Sequence, residues 1–267
     1  MQDMNKYPEA SKCLTIGIPV RIDSEERKAN LSTVVSHLSG LACRIIVLEA
    51  DVRPQVQDWT DCDGVVDYKF VEDANPVFHR TRYINMLLRM SSTEVTAIWD
   101  TDVLVDYSQI LEALTLIHEG ATLSYPYDGR FIMLPEHISR QMRQIPDFAY
   151  LRNLGMKSFL GRKLCGGAYL VHTQRYLQCG GENERFTGWG PEDAERMHRV
   201  AILGHHVGRI SQGELFHLYH PRGSNSTYQS AEDARILREE FVRICSMFPE
   251  ELRDYVENMK SYRCLTS

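Results

Sequence analysis

Short apolar runs rich in β-branched residues recur through the first half of this chain, each set off from the next by a segment with helical spacing. That alternation restricts the fold more than any other feature. Leu14 to Val20 reads LTIGIPV, Arg44 to Leu48 reads RIIVL, Gly64 to Phe70 reads GVVDYKF and Val95 to Trp99 reads VTAIW. Runs of this length and composition form strands. Between them, Ser24 to Leu38 carries Ala29, Val34, Val35 and Leu38 at helical spacing, with Ser24 placed as an N-cap. Pro76 is expected to open a helix that runs to about Met90, because proline is tolerated in a first turn. Tyr107 to His118 is a further helix, stopped by Gly120. Strands spaced by helices require crossover connections, so an α/β fold with a largely parallel sheet is predicted.

The second half is less regular. Strands are expected at Ala121 to Tyr125, Gly167 to His172, His205 to Ile210 and Leu215 to Tyr219, and helices at Glu136 to Gln144 and Glu192 to Leu203. Ala231 to Met259 is strongly helical, with a break near Pro249. No repeat, low-complexity tract or Gly/Ser/Pro-rich linker interrupts the chain. It is read as one domain over residues 1–230 with a helical extension over 231–267 packed on it.

The net charge of −6 argues against an extended cationic surface for nucleic acid. The N-terminal MQDMNKYPEASK lacks the apolar core of a secretory signal, and no apolar run approaches the roughly 20 residues that cross a bilayer. The expectation is a cytoplasmic protein without an integral membrane segment, or one cut from a membrane-anchored parent. Its seven cysteines are odd in number and widely spaced, so reduced, mostly buried thiols are expected rather than a zinc knuckle or redox pair.

Three clusters can carry chemistry. Asp100-Thr101-Asp102 follows a strand directly, where ligands of open α/β sheets bind, and its carboxylates can hold a divalent cation and a sugar or ribose hydroxyl. A solvated acidic turn is the plain alternative. His217 and His220 lie three apart in FHLYHPR, and on a flat strand they would face opposite sides. They converge only if the backbone turns. Imidazole with carboxylate suits Mn²⁺, Zn²⁺ or Fe²⁺. Gly188-Trp189-Gly190-Pro191-Glu192-Asp193 combines a flexible backbone, a flat apolar ring for a sugar and two acids at a helix start. Glutamate and aspartate are also simply good first-turn residues.

Together these clusters resemble the β-1,4-galactosyltransferase-like enzymes. Gly188 to Asp193 is similar to their GWGxED signature, Asp100 to Asp102 to their DxD, and His217 and His220 to their late metal-ligand pair. Phe78-His79-Arg80-Thr81-Arg82-Tyr83-Ile84-Asn85 is similar to their F-N-R-x-K-x-x-N helix start, and Ile18-Pro19-Val20-Arg21 to their first-strand P-x-R segment. The match runs in order over about residues 14–222 and looks closest to bacterial family-2-like enzymes with a galactosyltransferase-type C-terminal half. It departs at Pro191, usually glycine, at His79 for asparagine and at Arg82 for lysine.

The resemblance implies a GT-A fold: a Rossmann-like mixed sheet with a helical C-terminal tail. It implies an inverting transfer of galactose or N-acetylgalactosamine from a UDP-sugar to a glycan or lipid-linked oligosaccharide, in bacterial surface polysaccharide synthesis at the inner membrane. Asp102, His217 and His220 would hold Mn²⁺ or another divalent cation. Asp193 would be the general base and Glu192 would hold a sugar hydroxyl. Pro19, Arg21, Asp23 and Arg80 would line the nucleotide pocket, Asp100 would meet the ribose or donor sugar, and Gly167 would let the donor sugar approach. Trp189 and Gly190 would contact sugar. A nucleotidyltransferase would also use paired carboxylates and a metal, but Ile18 to Glu26 is not a glycine-rich phosphate loop. A non-catalytic nucleotide-sugar-binding module and a structural zinc protein are the other readings; an intact Asp193 opposes the first, and the lack of a cysteine at ligand spacing opposes the second.

Overall fold

The computed structural model describes residues 8–56, 66–221, 223 and 227–266. A short helix, α1 (Pro8–Cys13), leads into β1 (Leu14–Val20), and then α2 (Glu25–Ser39), β2 (Arg44–Asp51) and β3 (Val66–Glu72) follow. Gly64 and Val65, the expected start of the third strand, lie outside the described residues. Ser24 caps α2 as expected, its side chain accepting a hydrogen bond from the Arg27 backbone N–H. Next come α3 (Arg80–Met90), β4 (Val95–Trp99), β5 (Val103–Leu104), α4 (Tyr107–His118), β6 (Leu123–Tyr125) and β7 (Phe131–Met133). The chain continues through α5 (Glu136–Met142), α6 (Phe148–Asn153), β8 (Ala168–His172), α7 (Thr173–Gln178) and α8 (Glu192–Ile202). It ends with β9 (Val207–Arg209), β10 (Leu215–His217), α9 (Ala231–Cys245) and α10 (Pro249–Thr266).

The α3 helix corrects one expectation. It starts at Arg80, not Pro76. Two side-chain turns hold the preceding residues out of helix: Asp73 Oδ1 accepts from the Asn75 N–H and Asn75 Oδ1 from the Val77 N–H, both at 2.9 Å. The residue before a proline also disfavours helical backbone. Arg80 therefore sits at the very start of the helix, at the mouth of the sheet.

Seven strands form the main sheet in the order β3-β2-β1-β4-β8-β6-β9. The β1, β2, β3 and β4 strands are mutually parallel, as are β6 and β9, while β8 runs antiparallel to both of its neighbours. The sheet is thus mixed but mostly parallel. All seven residues of β1 are buried, as a strand covered on both faces must be. Gly17 is a packing requirement: a Cβ there would stand 3.1 Å from the Leu87 Cβ on α3 and 3.3 Å from Ile98 on β4. Pro19 is tolerated near the end of this central strand because β4 pairs with β1 only as far as Gly17.

Two features of register bring distant segments to the end of β4. Trp99 pairs with Ala168, so Gly167 lies beside Asp100, whose N–H donates to the Gly167 carbonyl at 2.8 Å. A second, three-stranded sheet, β5-β10-β7, pairs His217 with Val103. The Leu218 N–H then donates to the Asp102 carbonyl at 2.7 Å. Of the strands in this small sheet, β10 falls within the expected strand Leu215 to Tyr219, while β5 and β7, two and three residues long, carry too little pattern to read.

The C-terminal helices α9 and α10 pack on α8 through a cluster that includes Phe186, Leu237, Ile244, Leu252, Val256 and Met259. If this extension is part of one cooperative unit, chemical denaturation should give a single transition, and Ile244→Ala, which empties a fully buried site, should lower stability by about 2–5 kcal/mol without splitting it. Two separated transitions in wild type would show that residues 231–267 fold apart.

Candidate active site

Order reverses in the main sheet between β1 and β4, where one neighbour of β1 precedes β4 in the chain and the other is β4 itself. Crevices at such points, beyond the carboxyl ends of the strands, bind ligands. Asp100-Thr101-Asp102 turns there, and the Trp99 indole N–H pins the turn by donating to the Val103 carbonyl at 3.0 Å.

Asp102 is buried and faces both histidines. His217 Nε2 lies 3.3 Å from its Oδ1 and His220 Nε2 lies 3.1 Å from its Oδ2. His217 ends β10, and the chain then leaves the strand, so the two imidazoles converge. The turn is held from outside: the Tyr219 carbonyl accepts from Asn30 at 3.1 Å and from Arg143 at 2.9 Å, and the Tyr219 N–H donates to Ser139 at 2.7 Å. One ligand atom from each of Asp102, His217 and His220 can be chosen so that all lie within 4.8 Å of one another. Ligands about 2.1 Å from an ion stand about 3 Å apart when adjacent. The spacing and the one-carboxylate, two-imidazole donor set therefore fit a divalent cation of the Mn²⁺ or Zn²⁺ kind.

Arg27, which sequence reasoning missed, completes this corner. Its Nη1 donates to Asp102 Oδ2 at 3.2 Å and its Nε to Asp23 Oδ1 at 2.7 Å. Burial pushes the Asp102 carboxyl up, but His217, His220 and Arg27 outweigh it and hold the group well below the ordinary carboxylate range. Burial lowers His217, whereas the bond to Asp102 overcomes burial at His220 and raises it.

The second cluster is built around Arg80. Its Nη2 donates to Asp100 Oδ1 at 2.6 Å, and its Nη1 lies 3.8 Å from Asp193 Oδ1. Asp193 is also bound by Arg196, whose Nη1 donates to the same oxygen at 3.0 Å. Arg196 is fully buried and immobilised. Glu182 accepts from its Nε at 2.7 Å and its Nη2 at 3.0 Å, Tyr169 and Tyr176 donate to Glu182, and the guanidinium lies 3.9 Å over the Tyr169 ring. Burial raises Glu182, but Arg196 and the tyrosine hydroxyls bring it down to about 2. The other oxygen of Asp193 abuts Gly166, where a Cβ would stand only 2.5 Å from Oδ2.

Glu192 differs sharply from its neighbour. It is buried, its Oε2 has no hydrogen-bond partner among the described residues, and burial together with the Asp193 charge pushes it up to about 8. Asp193 keeps 29% of its side chain exposed. One acid of the pair is reachable from solvent, and the other, buried, holds its proton more tightly than an ordinary carboxyl.

The remaining expected residues divide. Asp23 joins the Arg27 corner. Arg21 is committed to protein groups: it donates to the Ala50 carbonyl at 2.8 Å, to the Asn75 carbonyl at 2.6 Å and to Asp73 at 2.8 Å, tying the ends of β1 and β2 to the turn after β3. Gly167, with φ 86°, faces inward: a Cβ would stand 3.0 Å from Leu215 and 3.2 Å from Phe131 and Val103. Gly166, not Gly167, is the glycine whose missing side chain borders an acid. Trp189 is half exposed beside Gly190 and packs against Tyr228.

The comparisons bear on this geometry. A family model described as the N-terminal domain of galactosyltransferase matches residues 151–221, the segment that holds Gly166, the GWGPED turn and both histidines. The catalytic domain of Drosophila β1,4-galactosyltransferase 7, in complex with xylobiose, is 18% identical, with a TM-score of 0.50, over 85% of this chain and 79% of that one. A mutant of the same enzyme, in complex with manganese, UDP-Gal and xylobiose, is also 18% identical with a TM-score of 0.50, over 83% and 78%. GalNAc-T7 with UDP, GalNAc and Mn²⁺ is 12% identical with a TM-score of 0.60, over 93% of this chain and 50% of that one. No curated protein sequence matches. The chain shares the GT-A fold of these glycosyltransferases. Its Asp/His/His group is able to bind a metal, and no helix among the described residues is long and apolar enough to cross a membrane.

The raised Glu192 has a thermodynamic consequence. Between its unfolded value of 4.5 and its folded value of about 8, the folded chain holds a proton that the unfolded chain has released. Stability must therefore fall as pH rises through that window, by up to about 1.4 kcal/mol per pH unit for one proton. Glu192→Gln should remove this slope and gain on wild type from about pH 5 to about pH 8, levelling off above that, read from urea midpoints. Parallel curves for the two proteins would mean that Glu192 is ionised in the fold at neutral pH.

Proposed function

We propose that this protein is a glycosyltransferase that moves galactose or N-acetylgalactosamine from its UDP conjugate to a glycan hydroxyl with inversion of configuration. The observation that carries the reading is the pairing, at one crevice, of a metal-capable Asp102/His217/His220 group with Asp193, a solvent-reachable acid fixed by two guanidinium groups. A divalent cation held by Asp102, His217 and His220 would neutralise the diphosphate as it departs.

The protein's own residues account for the rest. Asp193 accepts the proton of the acceptor hydroxyl while that oxygen bonds to the anomeric carbon. The bond from that carbon to the diphosphate oxygen breaks, and its electron pair leaves with the nucleotide. A single displacement of this kind inverts the centre. Arg80 and Arg196 orient the Asp193 carboxylate. Glu192 carries a proton at neutral pH, so it is unsuited to act as the base and suited to donate a hydrogen bond to a sugar hydroxyl. Asp100, held by Arg80, faces the ribose or donor sugar, and Pro19, Arg21 and Asp23 shape the nucleotide side. Support for the two sugars comes from the resemblance of the GWGPED segment and from relatives bound to UDP-Gal or GalNAc.

For the acceptor we favour a lipid-linked oligosaccharide of a bacterial surface polysaccharide, reached from the cytoplasmic face of the membrane. Exposed Phe159 and Leu160 lie between Lys157 and the Arg162-Lys163 pair, a loop composition suited to an anionic bilayer surface.

Two measurements test the reading. Calorimetric titration with UDP-galactose should show binding in Mn²⁺ that EDTA abolishes, weakening below about pH 6 as protons compete for the imidazoles. Equal affinity with and without EDTA would remove the metal assignment. Asp193→Asn should lower turnover by about 100-fold to 10,000-fold at saturating donor, with donor affinity and melting temperature nearly unchanged. If Asp193 only favours the helix start, the variant would instead keep nearly normal turnover and lose about 0.3–1 kcal/mol of stability.

A further inference from the structure

The C-terminal extension builds a small pocket against the GWGPED turn. Its volume is about 190 Å³, and Thr187, Trp189, Tyr228, Gln229, Asp233 and Leu237 line it. Drug-sized ligands occupy roughly 300–1,000 Å³, so this space suits one ring rather than a whole ligand. Trp189 and Tyr228 form a corner, their ring centroids 4.8 Å apart and their planes at 83°. Trp189 nevertheless leaves 49% of its surface in water. Flat apolar faces flanked by a few polar groups suit the C–H face and hydroxyl rim of a pyranose.

The polar members are ordered. Asp233 Oδ2 accepts from the Ser230 hydroxyl at 2.7 Å, and the Asp233 N–H donates back to that oxygen at 3.0 Å. Arg238 lies 5.5 Å over the Tyr228 ring and steadies it. A carboxylate in so small a space disfavours phosphate or nucleotide and favours a neutral polyol. The pocket also adjoins the proposed reaction site. A Cβ on Gly190 would stand 3.2 Å from Leu237 Cδ1 and 3.6 Å from Glu192 Oε2, so this glycine leaves clear the space between the pocket wall and the buried acid.

We propose that this pocket is a second acceptor subsite, which binds the neutral pyranose ring next to the ring that receives the sugar. The inference rests on the glycosyl-transfer reading above. It makes the acceptor an oligosaccharide of at least two rings and gives the C-terminal extension a role in selecting it.

An array of immobilised mono- and disaccharides, probed with the labelled full chain in UDP and Mn²⁺, tests this by binding alone. Wild type should be retained on particular disaccharides at least about tenfold more tightly than on their single rings. Tyr228→Ala and, with its geometry kept, Asp233→Asn should each reduce that advantage below about threefold while melting as cooperatively as wild type. Equal retention on one and two rings, no retention on any glycan, or an undiminished advantage in both variants would overturn the subsite. Because the array reads no turnover, its result is distinct from the donor and Asp193 measurements.

Discussion

Four acids, Asp100, Asp102, Glu192 and Asp193, converge at the end of β4, and their mutual repulsion in a partly dehydrated crevice is the constraint that the surrounding structure answers. Removing carboxylates from water costs several kcal/mol each unless they are paired or neutralised. The chain uses three arginines for this. Arg27 meets Asp102, Arg80 meets Asp100 and faces Asp193, and Arg196 meets Asp193. None of the three is loose. Arg196 is locked by Glu182 and two tyrosines, and Arg80 stands at the first turn of a helix whose start is delayed by side-chain turns. Among the described residues Glu192 is the one of the four with no ion-pair partner, and burial beside Asp193 raises its proton affinity.

That division explains how two adjacent acids can serve different ends. Glu192 and Asp193 follow each other in sequence, yet one turns into the protein and the other toward solvent. Burial beside the Asp193 charge raises the proton affinity of Glu192, one way in which neighbouring carboxyls come to differ. The Arg196 lock adds direction, because it takes one Asp193 oxygen and leaves the other beside Gly166. A side chain at 166 would collide with that oxygen.

The sequence made the frame legible where pattern is strong and contacts are local. The β1, α2, β2, β4 and α4 elements are apolar runs or capped amphipathic stretches, and their types follow from periodicity alone. Pro76 misled because proline favours both a first helical turn and an extended loop, and only the Asp73 and Asn75 side-chain bonds decide between them. The convergence of Asp102 with His217 and His220 was read as conditional on a turn, and the small sheet and the Asn30, Arg143 and Ser139 bonds supply it. Arg27, Arg196 and Glu182 were invisible as site residues. An arginine in a helix reads as a solvated face, and nothing local says that Arg196 will be fully buried against an acid fourteen residues away. Spacing alone does not tell which of Gly166 and Gly167 faces the core and which borders Asp193.

The same distinction separates the two halves of the site. The proposed nucleotide side lies at the ends of parallel strands, so its position follows from topology, and chains of the GT-A fold can share it at low identity. The proposed acceptor side lies where the GWGPED turn meets α9, through close approaches such as that of Gly190 to Leu237, which span more than forty residues. Such contacts depend on the exact side chains of a terminal helix pair, which is free to differ between chains that keep the sheet. Chains of this fold should therefore resemble one another in how they hold a nucleotide and diverge in what they glycosylate. The helices that close the acceptor side are also part of a buried apolar cluster around Ile244 and Leu252. Leu237 belongs both to that cluster and to the pocket wall, so the proposed acceptor side and the stability of the C-terminal end meet at this residue.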